Sequence, residues 1–160
     1  MNIHSSKELS RYNYLINEIN ASYHELSLAL GLSDSAMIVL YAICDNEGSC
    51  LIKDICRNSG ISKQTINSAL RKLESEDIIY LESAGTKNKK VCLTEHGKRL
   101  ADRTAGKVIE MENEIFSSWE KEDMEKYLEL TERYLRDFQK RSVGLKTNNN
   151  RISSKGIIWP

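Results

Sequence analysis

Residues 61–73 read Ile-Ser-Lys-Gln-Thr-Ile-Asn-Ser-Ala-Leu-Arg-Lys-Leu, and their spacing predicts a capped amphipathic helix. Ser62 is a good N-cap, and Ile61 before it and Ile66 four residues after it are placed as a hydrophobic staple. Ile66, Ala69, Leu70 and Leu73 then recur on one narrow apolar stripe. At about 100° per residue the opposite face carries Gln64, Asn67, Ser68 and Arg71, with Thr65 and Lys72 on its flanks. No acid occurs on this segment before Glu74. Gln and Asn pair bidentately with adenine and Arg with guanine, while Ser suits several base edges or a phosphate oxygen. Ser62 and Lys63 sit at the helix N-terminus, where free N–H groups and the positive end of the dipole suit a phosphate. A solvated surface helix is the plain alternative, so the neighbours decide.

Upstream, Leu51–Asn58 is predicted as a short helix with Ile52, Ile55 and Cys56 inward, and Ser59-Gly60 as the break. Short helix, glycine turn and capped helix make a helix-turn-helix. Downstream, Ile78–Leu81 and Val91–Leu93 are β-prone runs around a polar segment, a hairpin with Lys87, Asn88, Lys89 and Lys90 at or beside its tip. A lysine-bearing hairpin next to a reading helix lies across the phosphate backbone or enters the minor groove.

The outer thirds read as helices. Ser5-Ser6-Lys7-Glu8 has capping-box spacing, and Tyr12, Ile16, Ile19, Tyr23, Leu26 and Leu30 alternate by four and three, a stripe that packs helix against helix. Gly31 ends that run, and Ser33 caps a helix with Met37, Leu40, Tyr41 and Cys44 on its apolar face. Thr94, with Glu95 behind it, starts a helix expected to continue to about Ser117, with Gly106 weakening it. A last helix is expected from Lys121 to Arg141. Residues 142–155 read as a polar tail, closed by an apolar end whose Ile157, Ile158 and Trp159 are expected to pack on a partner subunit or into a groove.

The 160 residues are 40% hydrophobic and 29% charged, with one proline, Pro160, and a formal net charge of zero. That is ordinary globular composition with enough chain for one core. The neutral total hides an uneven layout: from Lys53 to Lys98 nine lysines and arginines face six acids, and acids concentrate after Glu110. No stretch reads as a signal peptide or membrane span, so a cytoplasmic protein is expected. The four cysteines form no C-x-x-C pair and no histidine stands at zinc spacing, so no metal or other cofactor is expected. The cysteines read first as small buried hydrophobes in a reduced cytoplasm, with Cys50, at the start of the short helix, as the alternative of an exposed, activated thiol. No nucleophile–base pair, phosphate loop or isolated carboxylate pair supports catalysis.

Three motifs in this order resemble the winged-helix MarR-type regulators. Gly31-Leu32-Ser33 followed by Ile38-Val39-Leu40 is similar to the start of that family's second helix. Gly60–Thr65 is similar to the start of its recognition helix, and Lys89–Gly97 to the return strand of its wing and the LTxxG that begins its fifth helix. The likeness spans about residues 8–141. It implies a mainly α fold with a small β-hairpin wing: an N-terminal dimerisation helix (1–32), a winged helix-turn-helix (33–97), C-terminal dimerisation helices (98–141) and a tail (142–160). It further implies a homodimeric regulator, a repressor by expectation, that holds double-stranded DNA at a pseudo-palindromic operator. A small phenolic or lipophilic ligand would release it from a cleft for which Tyr12, Tyr23, Tyr41, Met111 and Trp119 are candidates. Two positions depart from the pattern. Gly85-Thr86-Lys87 stands where the family often has Asp-x-Arg, leaving phosphate attraction without the planar fork. Asp77 stands where a glycine commonly ends the recognition helix. The family's peroxide-sensing branch uses a cysteine near the first helix, and residues 1–43 contain none, which leaves Cys50 for a thiol-sensing alternative. A winged helix serving as a protein-interaction module is the other alternative, disfavoured because Gln64, Asn67, Ser68 and Arg71 are poor material for a dry interface.

Overall fold

The computed structural model describes residues 3–85 and 88–153, with side chains through residue 145. In chain order it runs α1 (Lys7–Ala29), α2 (Asp34–Asp45), β1 (Ser49–Leu51), α3 (Ile52–Ser59), α4 (Lys63–Ser75), β2 (Ile79–Ser83), β3 (Lys89–Leu93), α5 (Glu95–Arg103), α6 (Ala105–Ser117) and α7 (Lys121–Ser153). The chain divides into two compact units, residues 1–111 and 112–160.

In the first unit the core forms around α2. Val39, Leu40 and Ile43 are fully buried, together with Ile55 of α3, Ile66 and Leu73 of α4, Ile79 of β2 and Val91 of β3. The mainly helical winged-helix fold anticipated from the sequence is therefore present. The α1 cap falls on Ser6, whose hydroxyl accepts the Leu9 N–H at 3.1 Å, one residue later than a box starting on Ser5. Gly31 ends α1 in the left-handed region, with φ of 76°. The Leu32 N–H there reaches back to the Ser27 carbonyl and the Gly31 N–H to that of Leu28, each at 2.9 Å, a Schellman closure that turns the chain into α2.

Three expectations need correction. First, the sheet has three strands in the order β1-β3-β2, not two. Ser49, Cys50 and Leu51 pair antiparallel with Cys92, Val91 and Lys90, so the wing is rooted in the segment that leads into α3. Second, the helix expected from Thr94 to Ser117 breaks at Thr104, whose ψ is −95°. The Thr104 hydroxyl donates to the Leu100 carbonyl at 2.7 Å, and its N–H goes three residues back to Ala101 rather than four. A side chain at Gly106 would crowd the Ala101 carbonyl, so glycine permits the tight step into α6. Third, α7 continues past Arg141 to Ser153 through the segment that reads as polar tail. The apolar end at Ile157–Trp159 lies outside the described residues.

In the second unit, Trp119 packs edge-on to Tyr127 with ring centres 5.3 Å apart, and Phe116 lies 5.4 Å from Trp119. These contacts join the end of α6 to the start of α7. Beyond them α7 exposes Leu128, Leu130, Tyr134, Leu135 and Phe138.

Candidate nucleic-acid interface

The turn between α3 and α4 is built from local rules. Gly60 adopts φ of 67°, and the Ile61 N–H is taken by the Ser59 hydroxyl at 3.3 Å. Ser62 caps α4 by accepting the Thr65 N–H at 3.1 Å, and its hydroxyl lies 2.8 Å from that of Thr65. Ile66, Ala69, Leu70 and Leu73 are buried, and Ile61 packs against the same core. The opposite face stands outward: Ser62, Lys63, Gln64, Thr65, Ser68, Arg71 and Lys72 are exposed, and Asn67 is half-buried. Arg71 donates to the Ser68 hydroxyl at 3.2 Å, which holds the guanidinium along the helix. No carboxylate pairs with it among the described residues. Lys72 is 3.9 Å from Glu76, a loose, exposed pair that leaves its charge available.

At its C-terminus α4 is stitched to the wing. Asp77 takes φ of 55°. Its N–H bonds the Glu74 carbonyl at 3.1 Å, and the Ile78 N–H bonds that of Leu73 at 2.9 Å. The closure a glycine would supply is thus made by an aspartate held in the left-handed region. The Thr94 hydroxyl donates to the Asp77 carbonyl at 2.6 Å and accepts the Gly97 N–H at 2.9 Å, so one residue caps α5 and ties it to the end of α4. The Ile78 carbonyl presses on Gly97 so closely that any Cβ there would overlap it. This gives the Thr-x-x-Gly spacing its physical reason.

Within the wing, Lys89 lies opposite Ser83 and Lys90 opposite Glu82. Lys90, half-buried, stands in register across from the acid Glu82, whereas Lys89 is exposed. Asn88 is exposed, and its carbonyl accepts the Ala84 N–H at 2.9 Å to close the loop. Lys87 lies outside the described residues.

Cys50 does not have the exposure that a thiol sensor needs. It is buried in β1 at 5% exposure, and its thiol points 3.6 Å from the Leu51 carbonyl. Burial first, then the charge of Asp54, pushes its pKa above the ordinary thiol value. That is the opposite of activation.

A cavity of about 460 Å³ opens in the first unit, between α1, α2 and the end of α3. It gathers Tyr23 of α1 and Tyr41 of α2, but Tyr12 and Met111 are not in its lining, and Trp119 belongs to the second unit. Its polar wall has no local signal in the sequence: His24, Asp34 and Asp45, with Asn58 and Ser59 from the end of α3. Nothing along the chain joins these residues, because the Gly31 turn and the core bring them together.

Residues 30–87 match the sequence model of the MarR family. Solved structures of MarR-family proteins share the fold well beyond this segment. One is a MarR family regulator from Neisseria meningitidis, 20% identical, covering 88% of this chain and 99% of its own, with a TM-score of 0.71. The S. aureus MepR–DNA complex is 18% identical over 84% of this chain and 99% of its own, with a TM-score of 0.62. Bordetella bronchiseptica BpsR, whose DNA binding is regulated by 6-hydroxynicotinic acid, is 15% identical over 78% of this chain and 98% of its own, with a TM-score of 0.57. None of the curated proteins matches the sequence. The matched segment contains α2, β1, α3, α4 and β2.

Proposed function

We propose that this chain is a transcriptional regulator, acting as a repressor, that binds a pseudo-palindromic site on double-stranded DNA as a homodimer and is released by a small molecule. The observation that carries this reading is the outward face of α4. Gln64, Asn67, Ser68 and Arg71 stand opposite the buried stripe with no acid among them. Base readout rests on these four side chains, and phosphate contact on Ser62, Lys63, Thr65, Lys72 and the wing's Lys87, Asn88, Lys89 and Lys90. MepR, of the same fold, has been solved on DNA, and BpsR is controlled by a small ligand; both support the reading. The dimer is supported by the exposed apolar residues of α1, Leu15, Ile16 and Ile19, and by Leu128, Leu135 and Phe138 of α7.

Fluorescence anisotropy with the preferred site, run over a salt series, tests the assignment. Arg71→Ala is expected to weaken the specific complex by about 1–3 kcal/mol and relax one base position. Lys89→Ala is expected to weaken all sequences alike and lower the salt slope by about 1. Unchanged affinity in both variants would remove the reading head from the account.

A further inference from the structure

We propose that the cavity between α1, α2 and the end of α3 selects a cationic aromatic molecule over an anionic one. This deepens, and rests on, the reading of the chain as a ligand-released DNA binder. About 460 Å³ accommodates a bicyclic or tricyclic body. Its floor is apolar, with Met37 and Ile55 among the lining, and Tyr23 and Tyr41 supply two aromatic rings, which attract a cation through their π systems.

The sign of the charge decides the class. Among the described residues the lining includes Asp34 and Asp45 but no lysine or arginine. Its one histidine, His24, has Nδ1 at 3.0 and 2.8 Å from the two carboxylate oxygens of Asp34, so any positive charge there is already held. With His24 neutral the lining carries two negative charges, and with His24 protonated it still carries one. Asp45 has no ion-pair partner among the described residues. It also ends α2, where the helix dipole disfavours an acid, so helix stability does not account for it. Arg57, which donates to Asn58 of the lining at 3.3 Å, is itself paired with Asp54 at 3.1 Å. An anion entering this space would face carboxylates with no lysine or arginine among the described lining residues to receive it, whereas an ammonium gains both the carboxylates and the rings. The occupant would also touch Asn58 and Ser59, the last residues before the Gly60 turn into α4. Its binding therefore acts on the angle at which the recognition helix is held.

Three probes with one naphthalene body separate charge from shape: (1-naphthylmethyl)trimethylammonium, 1-naphthalenemethanol and 1-naphthaleneacetate, each titrated into the full chain by calorimetry. The ammonium is expected to bind about tenfold tighter than the alcohol, the order of one partly screened charge contact, and the acetate weaker than either. Asp45→Asn, which removes an acid from a helix C-terminus and so spares the fold, is expected to erase most of the ammonium's advantage while leaving the alcohol unchanged. Asp34→Asn provides a second variant with the same expected direction. Acetate binding as tightly as the ammonium, no binding by any probe, or equal loss of ammonium and alcohol binding in Asp45→Asn would each overturn the proposal. Anisotropy with DNA on the same protein keeps the two readings apart. Loss of DNA binding without any probe counts against the regulator, whereas intact DNA binding with no cation preference counts against the cavity assignment alone.

Discussion

At Gly97 a single hydrogen atom in place of a methyl group holds the base of the wing together. The Ile78 carbonyl occupies the space a Cβ would need, and it also accepts the Thr94 N–H at 3.1 Å. Gly97→Ala must push the end of α4 away from the start of α5, and overpacking of this kind costs about 1–3 kcal/mol. Urea denaturation should show a lower midpoint at unchanged slope; an unaltered midpoint would mean that the contact relaxes freely. Asp77 carries the opposite expectation. It holds φ of 55° at the C-terminus of a helix, where both backbone sterics and the dipole disfavour it. Asp77→Gly is expected to stabilise the fold by about 0.5–1 kcal/mol, read in the same experiment, and destabilisation would show that the aspartate side chain has a role of its own. Both positions were legible along the chain as a glycine in a motif and a missing glycine. Why each matters was not, because the Ile78 carbonyl and the Thr94 hydroxyl come from partners more than a dozen residues away.

Among the elements, α4 was readable because its cap, staple and stripe all lie within thirteen residues. The strand β1 was not. Ser49–Leu51 has no periodicity to detect and becomes a strand only by pairing with β3. That pairing turns Cys50 from a candidate exposed thiol into a buried one. Iodoacetamide at neutral pH should leave Cys50 of the folded protein unmodified, as peptide mass mapping would report, and rapid alkylation there would revive a thiol switch. The break between α5 and α6 escaped for a different reason. The apolar stripe through Leu100, Thr104 and Val108 keeps its period across the step, and only the Thr104 hydroxyl bond to Leu100 and the Gly106 approach to Ala101 reveal it. The cavity is the least legible feature, since its lining runs from Asn20 to Val108 and no local pattern connects residues so far apart.

For the whole molecule, the neutral total charge hides a division of labour that the fold makes physical. A basic stretch supplies α4 and the wing, while the outer helices present apolar stripes. In a single chain those stripes leave Ile19, Tyr23, Leu135 and Phe138 roughly half exposed, more apolar surface than a monomer usually leaves in water. Covering them with a second copy would set two recognition helices in a two-fold relation, and the DNA should mirror that symmetry. Selection of random duplex DNA by the purified full-length protein, followed by sequencing, tests this directly. The account predicts an inverted repeat with half-sites about one helical turn, roughly 10–10.5 base pairs, apart. No enrichment, or enrichment of a single unrepeated sequence, would contradict it.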